Sequence, residues 1–285
     1  MILACLLVGL AVGQGETAVG GSPYTPPEST GTFFALPQPN GFETLYRIDS
    51  NGYVDYVGKR GDLATPRPWN LVYDWTHERL YTTDVLTQTW VRVNPLTGRG
   101  TTLGPTGHYF PWQIAFCEQD GFVYGTTNEN QLARIEPTTG ATTIIADGYS
   151  FSSVVCVKDF LGEYDGLIVN QGGTLVNYTL PALDRIEIGG QFRRGTDAMS
   201  WDPINRTLFG FDRPNNSIAQ FNLYNGADEF VFTIQHWFPS VISLVFVSGY
   251  FFPEPDCQRT DADLDTDIDL HDFANFQNCW TGPRE

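Results

Sequence analysis

The densest chemistry in the sequence is a run of carboxylates near its end. Asp261, Asp263, Asp265, Asp267, Asp269 and Asp272 take the first, third, fifth, seventh, ninth and twelfth places of a twelve-residue stretch, with Ile268 at the eighth. Alternation lets one tight turn present several carboxylates inward. A flexible set of many oxygens suits Ca2+ better than Mg2+, which demands a tight octahedron. A plain acidic tail is the competing reading, and the apolar residue kept at the eighth place argues against it.

Two further sets of residues could bind or react. Trp69-Asn70 and Trp112-Gln113 repeat the same aromatic–amide pair 43 positions apart. Indole rings beside amides suit stacking on sugar rings with hydrogen bonds to hydroxyls, although packing between repeats is the simpler use of the same positions. Asp74, Asp202 and Glu118 invite a catalytic reading. Each opens a turn after an apolar run, and there a short acidic side chain satisfies local backbone donors. Recurrence at one repeat position is what that structural role predicts. No nucleophile elbow, HExxH helix or phosphate-cradling glycine loop occurs, and His77, His108, His236 and His271 share no metal-binding spacing.

The elements that must position these residues are repeats. Leu71–Tyr81 with Trp90–Gly98 returns as Ile114–Tyr124 with Leu132–Gly140, and again as Met199–Phe209 with Ala219–Asn222. Each unit reads as an apolar run, a turn, a second strand, a third strand and an Asn-Pro-x-Thr-Gly type of turn. Tyr81 to Tyr124 spans 43 positions and Arg92 to Arg134 spans 42. A period in the low forties with about four strands resembles the blade of a β-propeller. The third-strand cores at Tyr46–Asp49, Val91–Asn94, Ala133–Glu136, Val176–Thr179 and Ala219–Asn222 predict five blades. The fourth unit is the least regular, with a longer turn from Lys158 to Gly166. The first group, from Phe33, lacks an inner strand, and Val241–Val247 is an inner strand without a unit. Zipping the two together would close the ring and leave no open edge.

The expected organisation is therefore a signal peptide at 1–15, a Gly/Pro/Ser/Thr-rich leader at 16–32, an all-β five-bladed propeller at 33–252 and a small calcium loop–helix module at 253–285. The apolar run Ile2–Val12 is too short to span a bilayer and ends in small residues, as a secretory signal does. The tail resembles the repeat of type I dockerins, calcium modules that tether secreted proteins to larger assemblies. The resemblance implies side-chain ligands at Asp261, Asp263, Asp265 and a bidentate Asp272. It places Asp267 on the metal through its backbone carbonyl and Asp269 through water. Thr266 stands where the usual turn glycine would be, which weakens binding, and one repeat is present where a full dockerin has two. Cys257 and Cys279 bracket the loop and are expected to pair, because small extracellular modules need such staples. Cys117 and Cys156 fall in neighbouring inner strands, where a disulfide is open but two buried free thiols are expected at least as much.

Composition narrows the function. With 16 basic and 33 acidic residues the net charge is −17, which disfavours nucleic acid and anionic membranes as partners. No later run is apolar enough for a membrane span. The expectation is a secreted binding or scaffold propeller that recognises a polysaccharide or an extracellular protein. Its calcium-dependent tail would meet a cohesin-like or cell-surface partner. A propeller hydrolase or lyase acting on polysaccharide at the channel mouth is the alternative.

Overall fold

The computed structural model describes residues 31–37, 44–59, 61–158, 166–189, 196–221, 223, 228–235 and 241–248. Their strands form five antiparallel sheets of four. In chain order the first strands are β1 (Gly31–Pro37), β2 (Leu45–Ile48) and β3 (Val54–Val57). Next come β4 (Pro68–Asp74), β5 (Arg79–Asp84), β6 (Thr89–Val93) and β7 (Gly100–Pro105), which make one sheet. The following sheet holds β8 (Ala115–Cys117), β9 (Phe122–Thr126), β10 (Gln131–Ile135) and β11 (Thr142–Asp147). Then come β12 (Ser153–Val157), β13 (Gly166–Gln171), β14 (Thr174–Thr179) and β15 (Arg185–Gly189). The last full unit is β16 (Thr196–Asp202), β17 (Thr207–Asp212), β18 (Ser217–Phe221) and β19 (Asp228–Thr233), followed by β20 (Val241–Ser248). The third-strand cores read from the sequence fall on β2, β6, β10, β14 and β18. β1 begins two residues inside the segment expected as leader.

β20 pairs antiparallel with β1 from Gly31↔Ser248 to Pro37↔Val241, so the first sheet runs β20-β1-β2-β3. We number the blades from this sheet. Inner strands β4, β8, β12, β16 and β20 neighbour one another in that order, and β20 returns to β4. This is a five-bladed propeller with its inner strands around a central channel.

The core is five slabs, one between each pair of blades. Alternate residues of a strand feed opposite slabs, as the two-residue period requires. Leu71 and Tyr73 face blade 1, while Val72 faces blade 3. Because both faces are covered, inner strands are buried almost throughout, and that is why they read as continuous apolar runs. Outer strand β11 alternates between half-buried and exposed. Phe33, Phe209 and Phe246 form an aromatic trio with centroids 4.8–5.2 Å apart between blades 5 and 1. Trp90 reaches from blade 2 to donate its indole N–H to the Pro137 carbonyl at 2.8 Å. Gly140 makes room for it, since a Cβ there would lie 2.5 Å from Trp90 Cβ.

Turns follow the sequence chemistry. Asn94 Oδ1 accepts the Leu96 and Thr97 amides at 2.8 and 3.0 Å. Asp84 accepts the Leu86 and Thr87 amides at 2.7 Å, the Arg67 amide at 3.1 Å and the Thr65 hydroxyl. Burial works to raise the pKa of Asp84, but the hydrogen bonds from Thr65, Thr87 and Arg67 outweigh it and hold the carboxyl below its ordinary value.

Cys117 and Cys156 are joined by a disulfide, with Cα atoms 5.1 Å apart, so the bond staples blade 3 to blade 4 next to the channel. Cys257, Cys279, the signal-like run, and the proposed ligands Asp261, Asp263, Asp265, Asp267 and Asp272 lie outside the described residues. No helix among the described residues is long and apolar enough to cross a membrane.

Candidate binding site at the channel mouth

The innermost strand of each blade has a ladder edge that meets no further strand of its own sheet. Side chains from neighbouring blades supply the missing partners. Ser243 on β20 accepts from the Leu71 amide at 2.8 Å and donates to the Leu71 carbonyl at 3.1 Å. Ser200 Oγ accepts the Phe246 amide at 2.6 Å. Gln113 crosses the channel: its Oε1 accepts the Met199 amide at 2.8 Å, and its Nε2 donates to the Leu244 carbonyl at 3.1 Å and to the Met199 carbonyl. These bonds tie blades 1, 3 and 5 together, and Gln113 forms the floor of a cavity of about 250 Å3.

The cavity opens at the end where inner strands finish. Its wall includes Tyr73, Phe116, Val155, Trp201 and Val245, and its rim includes Trp75, Glu118, Gln119, Lys158, Pro203 and Arg206. The rim residues come from the turns that leave β4, β8, β12 and β16. Strand pairing puts Asp74, Cys117 and Asp202 at one position, opposite Arg79, Phe122 and Thr207. Glu118 is thus equivalent to Trp75 and Pro203, one place beyond the two aspartates. The sequence reading aligned it with Asp74 and Asp202, and that register is corrected here. The aspartates do cap their turns: Asp74 Oδ1 accepts the Thr76 and His77 amides, and Asp202 Oδ1 accepts those of Ile204 and Asn205. In blade 3 the turn is served by Asp120, leaving Glu118 exposed on the rim.

Among the described residues that line the mouth, charge runs against the chain as a whole. Lys158 and Arg206 are both exposed on the rim with Glu118, and among the described residues none of the three enters an ion pair. Gln119 is anchored by a hydrogen bond from its Nε2 to the Val157 carbonyl at 2.8 Å. Trp75 is half-buried, held edge-to-face against Tyr73 at 4.8 Å. The arrangement offers a small concave seat with an aromatic wall, two cations and one acid.

The residue pairs singled out in the sequence lie at the other end of the channel, where inner strands begin. Trp69 donates its indole N–H to the Pro111 carbonyl at 2.7 Å and carries Arg67 over its ring at 5.6 Å. Asn70 is buried and donates to Thr83 Oγ1 and to the Phe110 carbonyl at 3.1 and 3.0 Å. The amide of Gln113 is committed to backbone as described, whereas Trp112 is 45% exposed. Asn70 and Gln113 therefore hold blades together from positions that sequence alone could assign to a ligand. The sequence carries glycosylation sequons at Asn177-Tyr-Thr179, Asn205-Arg-Thr207 and Asn215-Asn-Ser217; Asn177 is fully buried, and Asn205 and Asn215 hold Asp202 and Asp212 at 2.7 and 2.6 Å. Lys158, Arg206 and Trp75 were not singled out from the sequence. Superposing the first turn of each unit, rather than its strands, is the signal that finds them.

A family model described as "Repeat of unknown function (DUF6923)" matches residues 33–156. No curated protein matches the chain in sequence. Among solved structures, a chain of the nidogen/laminin complex superposes with a TM-score of 0.54 at 11% identity, covering 77% of this chain and 98% of that one. A structural genomics protein of unknown function from Bacteroides thetaiotaomicron VPI-5482 gives 0.50 at 11% identity, covering 75% of this chain and 64% of that one.

Proposed function

From the propeller fold that those structures share, and from a repeat to which the matching model attaches no activity, we propose that the protein is a secreted binding propeller that seats its ligand at the channel mouth. The observation that carries this reading is the cavity closed below by Gln113 and rimmed by Trp75, Glu118, Lys158 and Arg206. Fold alone would say little, because propellers host many functions. A short apolar N-terminal run, the expected Cys257–Cys279 staple and the Cys117–Cys156 disulfide all fit an oxidising compartment outside the cell. Pairing of β20 with β1 acts as the clasp of the ring, the C-terminal strand completing the blade that the N-terminal strands begin.

The tail is the attachment device in this proposal. Ca2+ is held by Asp261, Asp263, Asp265, the Asp267 carbonyl and Asp272, with Asp269 contributing through water, and binding orders the segment by removing the repulsion among its carboxylates. Its partner is a cohesin-like or cell-surface protein, while the mouth takes a polysaccharide or an extracellular protein.

The test is a polysaccharide array probed with the full chain, with and without 10 mM calcium (roughly ten times the upper end of the weak extracellular range), and with reducing-sugar release measured in parallel. Glycan binding without release supports the reading. Turnover would favour a hydrolase or lyase, and no retention of any glycan would remove the polysaccharide from it.

A further inference from the structure

Resting on the reading that the mouth is a ligand seat, we propose that the mouth recognises the carboxylate of an acidic monosaccharide unit, a uronic acid.

The argument begins with charge. The chain has 33 acidic and 16 basic residues, so a rim drawn at random would be acidic. Instead Lys158 from blade 4 and Arg206 from blade 5 line one cavity together, and neither has an ion partner among the described residues. Two cations without an ion partner among the described residues, set over a concave wall of low dielectric, focus a positive potential on its interior. Arg206 presents a planar fork that matches a carboxylate with two parallel hydrogen bonds, and Lys158 adds a mobile point charge.

Glu118 limits what anion fits. A phosphate ester brings more charge, and a sulfate ester, although singly charged, spreads more acceptor oxygens over the same seat, so either turns acceptors toward Glu118. A sugar carboxylate carries one charge and is surrounded by hydroxyls. Those hydroxyls donate to Glu118 while the cations hold the acid, so each charged group on the rim meets its complement. Trp75, fixed against Tyr73, supplies a face for the C–H side of a pyranose ring. Size agrees: about 250 Å3 lies just below the usual range of drug-sized pockets, enough for one ring and not for a folded oligomer.

Two features fix the seat in place. The Cys117–Cys156 bond holds together the strand ends that carry Glu118 and Lys158. Arg206 occupies the left-handed position (φ 52°) of a tight four-residue turn, the place filled by Glu78 and Gly121 in blades 2 and 3. The turn sets where the side chain starts.

The experiment is calorimetric titration of the full chain with galacturonate and glucuronate, with galactose and glucose as neutral counterparts, glucose 6-sulfate as the competing anion and an aspartate-containing dipeptide as a non-sugar carboxylate. The uronates should bind at least about tenfold more tightly than their neutral counterparts, in keeping with a charge-assisted pair, and added salt should erode the gap. Arg206→Ala should remove the preference, Lys158→Ala should reduce it, and Trp75→Ala should weaken acidic and neutral sugars alike. Equal binding of acidic and neutral sugars, untouched by Arg206→Ala, would overturn the inference and leave the mouth as a neutral-sugar seat. Preference for the sulfate ester or the dipeptide would overturn it as well. If no sugar of either charge binds the wild-type chain, the polysaccharide reading of the mouth fails together with it.

Discussion

The two ends of the channel are made by the same repeat and do opposite things. At the end where inner strands begin, Asn70 and Gln113 direct their amides into neighbouring blades, and Trp69 gives its N–H to Pro111. At the open end, Glu118, Lys158 and Arg206 stand on turns with no ion partner among the described residues. The inner strands have a bare backbone edge facing the channel, and a buried polar group left unpaired there is costly. Side chains beside that edge are drawn into satisfying it. Of the turn residues beyond the strand ends, Gln119 shares that duty at the Val157 carbonyl, whereas Glu118, Lys158 and Arg206 do not, and the turns after β4, β8 and β16 are capped from within by Asp74, Asp120 and Asp202. Near this channel the amides that flank the start of an inner strand are thus committed to backbone, while the charged residues beyond its end are available.

The largest effect tests what holds both ends in one ring. Removing residues 241–285 takes away β20, and with it the inner strand of blade 1 and the buried residues Val241, Leu244, Val245, Phe246 and Val247 of two core slabs. Cooperative unfolding should disappear, while removal of 254–285 should leave it intact. A cooperatively folded chain lacking 241–285 would show that the clasp is dispensable. Next in size is the staple at the open end. Cys117 and Cys156 are 39 residues apart, and losing a cross-link over such a loop should cost on the order of 4 kcal/mol by the chain-entropy estimate. Denaturant unfolding of Cys117→Ser/Cys156→Ser measures it. A loss under about 1 kcal/mol would place the hold between blades 3 and 4 in packing alone.

The smallest contrast is the sharpest. Gln113→Ala should destabilise by roughly 2–4 kcal/mol, since it strands buried backbone groups on two other blades. Lys158→Ala/Arg206→Ala should stay within about 0.5 kcal/mol of wild type, as exposed residues do. Thermal and denaturant unfolding of both variants decides the matter. If the double variant falls as far as Gln113→Ala, the cations are structural and the two ends do not differ.

What the sequence determined by itself is the repeat. Alternation, turn residues and a period of 42–43 positions located all five third strands, because strand period and turn chemistry are local properties. The caps at Asp74 and Asp202 were legible for the same reason: their donors lie two and three residues away. The partners of Gln113 lie 86 and 131 positions along the chain, and no local pattern reveals them. The same holds for Cys117 and Cys156, where neighbouring inner strands were foreseen but a bond between them depended on the approach of two blades. Glu118 was assigned one register too early, because only the pairing of Cys117 with Phe122 fixes where β8 stops. Lys158, Arg206 and Trp75 are ordinary turn residues in sequence. They become a site only because four blades bring the ends of their inner strands around one axis, which is a decision of the tertiary structure.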